Sequence, residues 1–165
     1  MRNKLKNINV LHIAYSDYIG GASRAVTRIH SSLVKSNINS SLLVQIKSKN
    51  EDKKIIKIKN NKFLQIIKIL INKLINLFFK NNTSILSLNI FNTGIVDKIN
   101  NSKYDIIHLH WINNETISID EISKIKKKIV WTCHDMWPFL GAEHYSNNKR
   151  YEEGYTKENR DNNEK

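Results

Sequence analysis

Residues 9–33 read NVLHIAYSDYIGGASRAVTRIHSSL, and this stretch decides the fold of the 165-residue chain. Its first part, 9–14, is mostly apolar, as expected of a buried strand. Gly20 and Gly21 follow in a short loop, where glycine relaxes the steric limits on the backbone. Apolar residues then recur at helical spacing. The order strand, glycine loop, helix predicts the opening of a βαβ unit.

The rest of the chain continues this alternation of strands and helices. Further strands are predicted at 40–46, 54–58, 105–109 and 129–132. Helices are predicted at 62–80, 85–99 and 118–126. Ser118 and Glu121 have the spacing of a capping box, which favours a helix beginning there. We therefore predict an α/β fold, a Rossmann-like doubly wound parallel sheet over 1–145, followed by a polar loop or tail over 146–165.

The composition limits the classes of partner. The net charge is +12, from 27 basic and 15 acidic residues, so polyanions and anionic membrane surfaces are candidate partners. Most of the basic residues are lysines, whereas bidentate reading of bases or phosphates favours arginine, so we expect no nucleic-acid role. A basic nucleic-acid binder would instead show affinity that falls steeply with salt.

Two further features of the sequence concern its compartment. The single cysteine, Cys133, permits no intramolecular disulfide, which fits a reducing cytosol. The apolar run near the amino terminus is too short for a signal peptide, and no run is long enough to span a bilayer. We expect a cytoplasmic protein, with peripheral attachment to the inner face of the plasma membrane as one option.

The most apolar segment is 62–80, KFLQIIKILINKLINLFFK, which begins at Lys62 and ends at Lys80. Polar residues recur three or four apart and form one narrow stripe on a helix. One interpretation is a helix packed deeply against its own domain. The other is an interfacial helix whose apolar arc lies in a bilayer surface, with lysines near the headgroups.

Gly20 and Gly21 form the first candidate site. A loop between a first strand and a helix presents backbone amides and the positive end of the helix dipole, which suits a phosphate. Arg24 and Arg28 follow one turn apart and could assist with an anion, and solvated charges on the helix are the alternative. The pattern is not GxGxxG, so a tight turn that needs glycine is the alternative interpretation.

A second group of candidates follows the two late strands. His108, His110 and Trp111 end one of them, and alternation places both histidines on one face of the sheet. The segment IVWTCHDMWPFLGAEHY, 129–145, ends the other and carries His134, Asp135 and Trp137. Imidazoles there can hydrogen-bond sugar hydroxyls, bind metal or transfer protons, and indoles can stack on sugars.

The spacing of these residues excludes some of that chemistry. His108 and His110 could form a zinc set if Cys133, His134, Asp135 and His144 are added to them. The spacing matches no zinc-binding pattern, so we expect no metal and no cofactor. No G-x-S-x-G motif is present, and Cys133 next to His134 is poor geometry for a nucleophilic pair. The ends of parallel strands instead predict a ligand cleft along one edge of the sheet.

Three segments carry a resemblance to a known family: NVLHIAYSDYIGGASRAVTRIHSSL, DIIHLHWIN and IVWTCHDMWPFLGAEHY. They resemble the amino-terminal domain of bacterial GT-B glycosyltransferases of family 4, most closely the colanic-acid, O-antigen and capsule polysaccharide transferases. The resemblance covers nearly the whole chain and is weakest between residues 47 and 85.

The resemblance implies transfer of a sugar from a nucleotide-sugar to a growing polysaccharide or lipid-linked acceptor, with retention of configuration and usually without a metal. Gly20 and Gly21 would approach the donor diphosphate, and His134 would contact the transferred sugar as the catalytic residue. The other candidates would bind acceptor or sugar: Arg24, His108, His110, Trp111, Asp135 and Trp137.

Family members continue into a second domain that binds the nucleotide, whereas this sequence stops at Lys165. The resemblance therefore implies the amino-terminal half of a truncated or split GT-B enzyme. We expect little activity from this chain alone, since stabilising the diphosphate needs donors from both sides of the cleft. A separate carboxyl-terminal domain chain would be required. The alternative is a non-catalytic remnant that binds carbohydrate or membrane.

Overall fold

The computed structural model describes residues 8–49, 52–59, 66–68, 70–71, 73–74, 77, 86–145, 150–154 and 156–159. The strands are β1 Asn9–Ser16, β2 Asn39–Ile46, β3 Ile55–Lys57, β4 Ile106–Leu109 and β5 Lys128–Trp131. The helices are α1 Gly20–Lys35, α2 Val96–Asn100, α3 Ile119–Ser123, α4 Trp137–Leu140 and α5 Arg150–Glu153. All five predicted strands are present, with ends shifted by one or two residues.

The five strands form one parallel sheet in the order β3-β2-β1-β4-β5. The order reverses between β1 and β4, which is the topological switch point of an open α/β sheet. This arrangement confirms the predicted Rossmann-like α/β fold. Because every strand is parallel, all five carboxyl ends lie along one edge, where the sequence predicted a ligand cleft.

The core is divided between the two faces of the sheet. Alternation along β1 sends Leu11 and Ile13 to one face and Ala14 to the other. The first face carries the larger cluster, which includes residues of β4, α2 and the segment that follows β4. The second face is covered by α1, whose Val26 packs with residues of β2 and β3. Burial on both faces explains why the central strands are nearly continuous apolar runs.

The prediction of a helix over 85–99 was wrong for most of that range. Within the described range 86–100, only Val96–Asn100 is helical, and Leu86 instead pairs with Glu143 in an isolated antiparallel bridge. Asn89 has a positive φ of 48°, and its side-chain amide donates to the carbonyls of Ile112 and Ile117. Backbone amides of the segment also have distant partners: Ser87 donates to the Ala142 carbonyl and Phe91 to the Glu115 carboxylate, in place of the local acceptors of a helix.

The predicted helix over 62–80 lies partly outside the described residues. Those that are described between 66 and 77 are helical. Ile67, Lys68 and Ile71 are half-buried on one side, where the Lys68 ammonium lies 5.7 Å from the centre of the Phe91 ring. Along the described parts of the chain, no helix is long and apolar enough to cross a bilayer.

The opposite side of this helix is apolar and exposed. Its members recur every three or four residues and are each more than half exposed to solvent: Ile66, Leu70, Leu74 and Leu77. Lys73 is exposed beside them. We call these four side chains the apolar stripe.

The capping box predicted at Ser118 is confirmed, although α3 ends at Ser123, earlier than expected. The Ser118 hydroxyl accepts from the Glu121 amide, and the Glu121 carboxylate accepts from the Ser118 amide. The same carboxylate accepts from the amides of Thr93 and Gly94. Burial alone would raise the pKa of Glu121, but these hydrogen bonds outweigh it and lower the pKa. One buried carboxylate thus joins α3 to the loop before α2.

We predict that Glu121→Gln lowers the free energy of unfolding by about 1–3 kcal/mol, because hydrogen bonds to a buried charged acceptor are lost. Urea denaturation monitored by circular dichroism measures the change. Asp120→Asn is the matched control, since Asp120 is exposed and its ion pair with Lys124 lies at the surface. We expect the control to stay within about 0.5 kcal/mol of the wild type. Equal effects of the two substitutions would contradict the anchoring role of Glu121.

Candidate functional site

A cavity of about 640 Å³ lies at the carboxyl ends of the central strands. Its walls come from the end of β1 and from the segments that follow β1, β4 and β5: Tyr15, Ile19, Gly20, Gly21, Ala22, Trp111, Asn114, His134, Asp135 and Tyr145. The volume is in the range of small-molecule sites, and the position is the switch point where such sites form in open α/β sheets. The three segments singled out in the sequence therefore contribute to one cavity.

The glycine wall of the cavity is the start of α1. Gly20 has a φ of 80°, a conformation that residues with a β-carbon rarely adopt. The N-cap residue, Ile19, has no side-chain acceptor for the first amides, and no acidic residue lies in the first turn. The positive end of a 16-residue helix therefore lies at the cavity without a negatively charged side chain of its own first turn.

The loop before α1 is held by its own polar groups. The Ser16 hydroxyl accepts from the amides of Tyr18 and Ile19. The Asp17 carboxylate accepts from the Ser48 amide at the end of β2, and the Asp17 carbonyl accepts from the Thr27 hydroxyl on α1. These contacts fix the path of the chain into the glycine pair.

Asp135 organises the opposite wall. Its carboxylate accepts from the Trp111 indole at 2.7 Å and from the Trp137 amide at 3.1 Å, and it lies 2.6 Å from His144 Nδ1. His144 is buried, and its Nε2 lies 2.9 Å from the Ser87 hydroxyl. The aspartate that follows His134 in sequence thus pairs with His144 rather than with its neighbour. It orients the Trp111 ring at the cavity.

Imidazoles connect the cavity to the interior. His134 Nε2 lies 3.2 Å from His110 Nδ1, and His110 Nε2 lies 3.2 Å from His12 Nδ1. Both distances fit hydrogen bonds between neutral imidazoles. The His108 ring lies against the His110 ring, with centroids 4.1 Å apart, and its Nε2 lies 2.8 Å from the Thr132 hydroxyl.

These histidines are held in the neutral form. Burial, followed by the nearby His108 and His30, lowers the pKa of His12 to about 3. Burial, followed by His108, His12 and His134, lowers the pKa of His110 to about 2. Burial also lowers the pKa of His108 and of His134. At neutral pH each ring therefore has one N–H donor and one nitrogen lone pair.

The predicted site residues fall into two groups. Five line the cavity: Gly20, Gly21, Trp111, His134 and Asp135. Arg24 is exposed on α1 outside the lining, and His108 and His110 lie behind His134. Trp137 is buried in the larger core cluster, where its indole donates to the Ser87 carbonyl at 2.8 Å.

Sequence reasoning missed His12, Tyr15 and Asn114. His12 interrupts an otherwise apolar strand, and β1 pairs with β4 so that His12 lies opposite His108. A histidine inside a predicted central strand was the available signal for it. Tyr15, near the end of β1, and Asn114, in the segment after β4, carry no comparable signal, because only the tertiary packing brings them to the cavity.

Comparison of the chain with protein-family models, with curated proteins and with solved structures gives no significant match. The class that the fold itself defines is an α/β domain with a Rossmann-like parallel sheet.

We predict that the free energy of unfolding of the chain, with no metal bound, decreases as the pH falls below about 6.5. This value is the ordinary pKa of histidine, which the unfolded state keeps. His12 and His110 keep lowered pKa values when folded, so the unfolded chain takes up protons that the folded chain does not. The loss is about 2 kcal/mol for each of the two at pH 5. Urea denaturation at pH 7.5, 6 and 5 measures it.

A variant of the chain serves as the control for this pH series. In His12→Asn the proton uptake on unfolding at pH 5 should fall by about one, because one of the two imidazoles with strongly lowered pKa values is absent. A free energy of unfolding that stays constant between pH 7.5 and 5 would contradict the neutral, buried state of these rings.

Proposed function

We propose that this chain is the acceptor-side domain of a retaining GT-B glycosyltransferase that transfers a sugar from a nucleotide-sugar donor to a cell-surface polysaccharide, or to a lipid-linked precursor of one. The observation that carries the proposal is the cavity at the switch point, where an open helix amino terminus and His134 lie in one lining. A donor bound there would have its diphosphate beside Gly20 and Gly21. Its sugar would lie beside His134.

The electrostatics of the cavity support an anionic ligand. The amides at the start of α1 lack an acidic side chain in their first turn, and helix amino termini bind phosphate. Asp135 contributes a carboxylate to the lining, and this carboxylate is already in contact with the Trp111 indole and the His144 ring. A donor diphosphate would therefore be attracted to the glycine side of the cavity.

The other side of the cavity is suited to a sugar. Tyr15, Trp111 and Tyr145 offer aromatic surfaces, and Asn114 offers an amide. His134 contacts His110 through Nε2, which leaves Nδ1 as its other ring nitrogen for a sugar hydroxyl. Because its pKa is lowered, His134 would act as a neutral hydrogen-bonding group and not as a cation.

We also propose that the apolar stripe attaches the domain to an anionic membrane surface, where a lipid-linked acceptor would be found. Four exposed aliphatic side chains on one helix face are an unfavourable surface in water. A net charge of +12 adds attraction to anionic headgroups. A domain held in this way would lie on the bilayer without spanning it.

For the donor site, we predict that UDP-glucose or GDP-mannose shifts the amide resonances of Gly20, Gly21 and Ala22 in the isolated chain. His134→Ala should weaken binding of the nucleotide-sugar about tenfold, the value of one hydrogen bond, while binding of UDP or GDP alone stays unchanged. Cys133→Ala is the matched control, because Cys133 is the exposed neighbour of His134 and lies outside the lining. Shifts confined to other residues would contradict the donor site.

Turnover separates this proposal from its alternative, a non-catalytic carbohydrate- or membrane-binding module. We expect the chain alone to be nearly inactive and to gain transferase activity when a nucleotide-binding GT-B domain is supplied as a second chain. His134→Ala should abolish that activity while the circular dichroism spectrum stays unchanged. Ligand binding without turnover under any complementation would favour the binding module.

For the membrane contact, we predict that the chain floats with vesicles containing anionic phosphatidylglycerol and that Leu70→Ser/Leu74→Ser lowers the partition coefficient at least about tenfold. Each leucine buried in a bilayer surface is worth about 1.5–3 kcal/mol. Ile119→Ser is the matched control, since Ile119 is an equally exposed aliphatic residue away from the stripe. Equal flotation of the wild type and the double variant would exclude the stripe as the contact.

A further inference from the structure

Among the residues that the structure describes, a cluster of potential metal ligands lies outside the cavity lining. His12 on β1 is the cross-strand partner of His108 on β4, and His110 follows two residues later on the same face. Each of the three rings offers a nitrogen, and the three nitrogens all lie within 4.8 Å of one another. We call these residues the histidine triad.

We propose that the histidine triad binds a divalent transition metal, with Zn²⁺ the first candidate, next to the cavity. The site comes from two neighbouring strands of the sheet, so the backbone holds the ligands on rigid elements. Metal binding here would use the positions and surroundings of these three residues. It does not depend on the function proposed above.

The spacing of the nitrogens supports this assignment. Zn–N distances of about 2.0–2.1 Å in a tetrahedral site place two ligand nitrogens about 3.4 Å apart. His12 Nδ1 and His110 Nε2 are already 3.2 Å apart. The nitrogens of the triad lie within 4.8 Å of one another, so rotation of the rings would have to shorten the longer separations to ligand spacing.

The chemistry of the triad also favours a metal. Neutral imidazoles are the form that binds metal, and burial lowers the pKa of all three rings. The triad contains three nitrogen ligands and no carboxylate, which suits Zn²⁺ and its neighbours and not the oxygen-preferring Mg²⁺ or Ca²⁺.

Partners behind the ligands complete the arrangement. Thr132 contacts His108 Nε2 at 2.8 Å, and His134 contacts His110 Nδ1 at 3.2 Å. If these contacts are kept, the nitrogens left for a metal are Nδ1 of His108 and Nε2 of His110. Metal-binding histidines commonly use the second ring nitrogen in this way. A metal on His110 Nε2 would also make its Nδ1–H donate to His134 and so fix the tautomer of the cavity histidine.

The alternative is a chain of N–H···N hydrogen bonds through His12, His110 and His134 with no metal. Titration of the chelator-treated chain with ZnSO₄, followed by a competing chromophoric chelator, distinguishes the two. We expect one equivalent of Zn²⁺ to bind, and we expect substitution of Co²⁺ to give the intense visible bands of a tetrahedral site. His108→Gln should weaken Zn²⁺ binding by more than about 100-fold, beyond the loss of a supporting partner.

Two controls define the site. His144→Gln should bind Zn²⁺ like the wild type, because His144 lies outside the triad and glutamine preserves a hydrogen-bonding side chain there. Cys133→Ala should also bind like the wild type, which excludes the single exposed thiol as a ligand. Binding that is lost in Cys133→Ala or kept in His108→Gln would overturn the assignment.

A measurement on the wild type covers the case in which His108→Gln does not fold. In an ¹⁵N spectrum of the six imidazoles, Zn²⁺ should shift one ring nitrogen of each triad member by the amount typical of metal coordination. The rings of His30 and His144 should show no coordination shift. If Zn²⁺ is not taken up stoichiometrically, or if the coordination shifts fall on other histidines, the triad does not bind the metal. The hydrogen bonds through His12, His110 and His134 would then be the correct description of the triad.

Discussion

The pairing of β1 with β2 on one side and with β4 on the other is the constraint on which the rest of the structure depends. Parallel neighbours require long crossover connections, and these carry the helices to the two faces of the sheet. Because the strand order reverses at β1, the loops after β1 and β4 separate and leave a space between them. The cavity occupies that space, and the same pairing places His12 opposite His108.

Burial of several histidines in one cluster has a consistent energetic explanation. A charged imidazole in the interior would be costly, but a neutral one needs only hydrogen-bond partners, and here the partners are largely other histidines and hydroxyl groups. The lowered pKa values follow from this arrangement. The result is a cluster of polar side chains within an apolar sheet. The cluster stays uncharged near neutral pH, and its member His134 lies at the cavity.

Hydrogen bonds across the chain explain where local patterns failed. The apolar content of 85–99 suggested a helix, yet Asn89 and Glu121 hold the first part of that segment as loop through contacts with residues more than 20 positions away. The capping box at Ser118 was predictable because both of its partners lie within one turn. The apolar residues of 62–80 were equally visible, but the pattern left open whether that helix packs its apolar arc into the domain or exposes it. The structure exposes Ile66, Leu70, Leu74 and Leu77.

By itself, the sequence determined the five strands, the glycine loop, the capping box and the parallel α/β class, because each depends on neighbouring residues and on the periodicity of apolar side chains. It also indicated that Gly20, Gly21, Trp111, His134 and Asp135 belong to one edge, since parallel strands share their carboxyl ends. Only the tertiary structure decided the partners across that edge. The pairing of Asp135 with His144 and the register of His12 with His108 depend on how strands distant in sequence align, and no local pattern encodes that alignment.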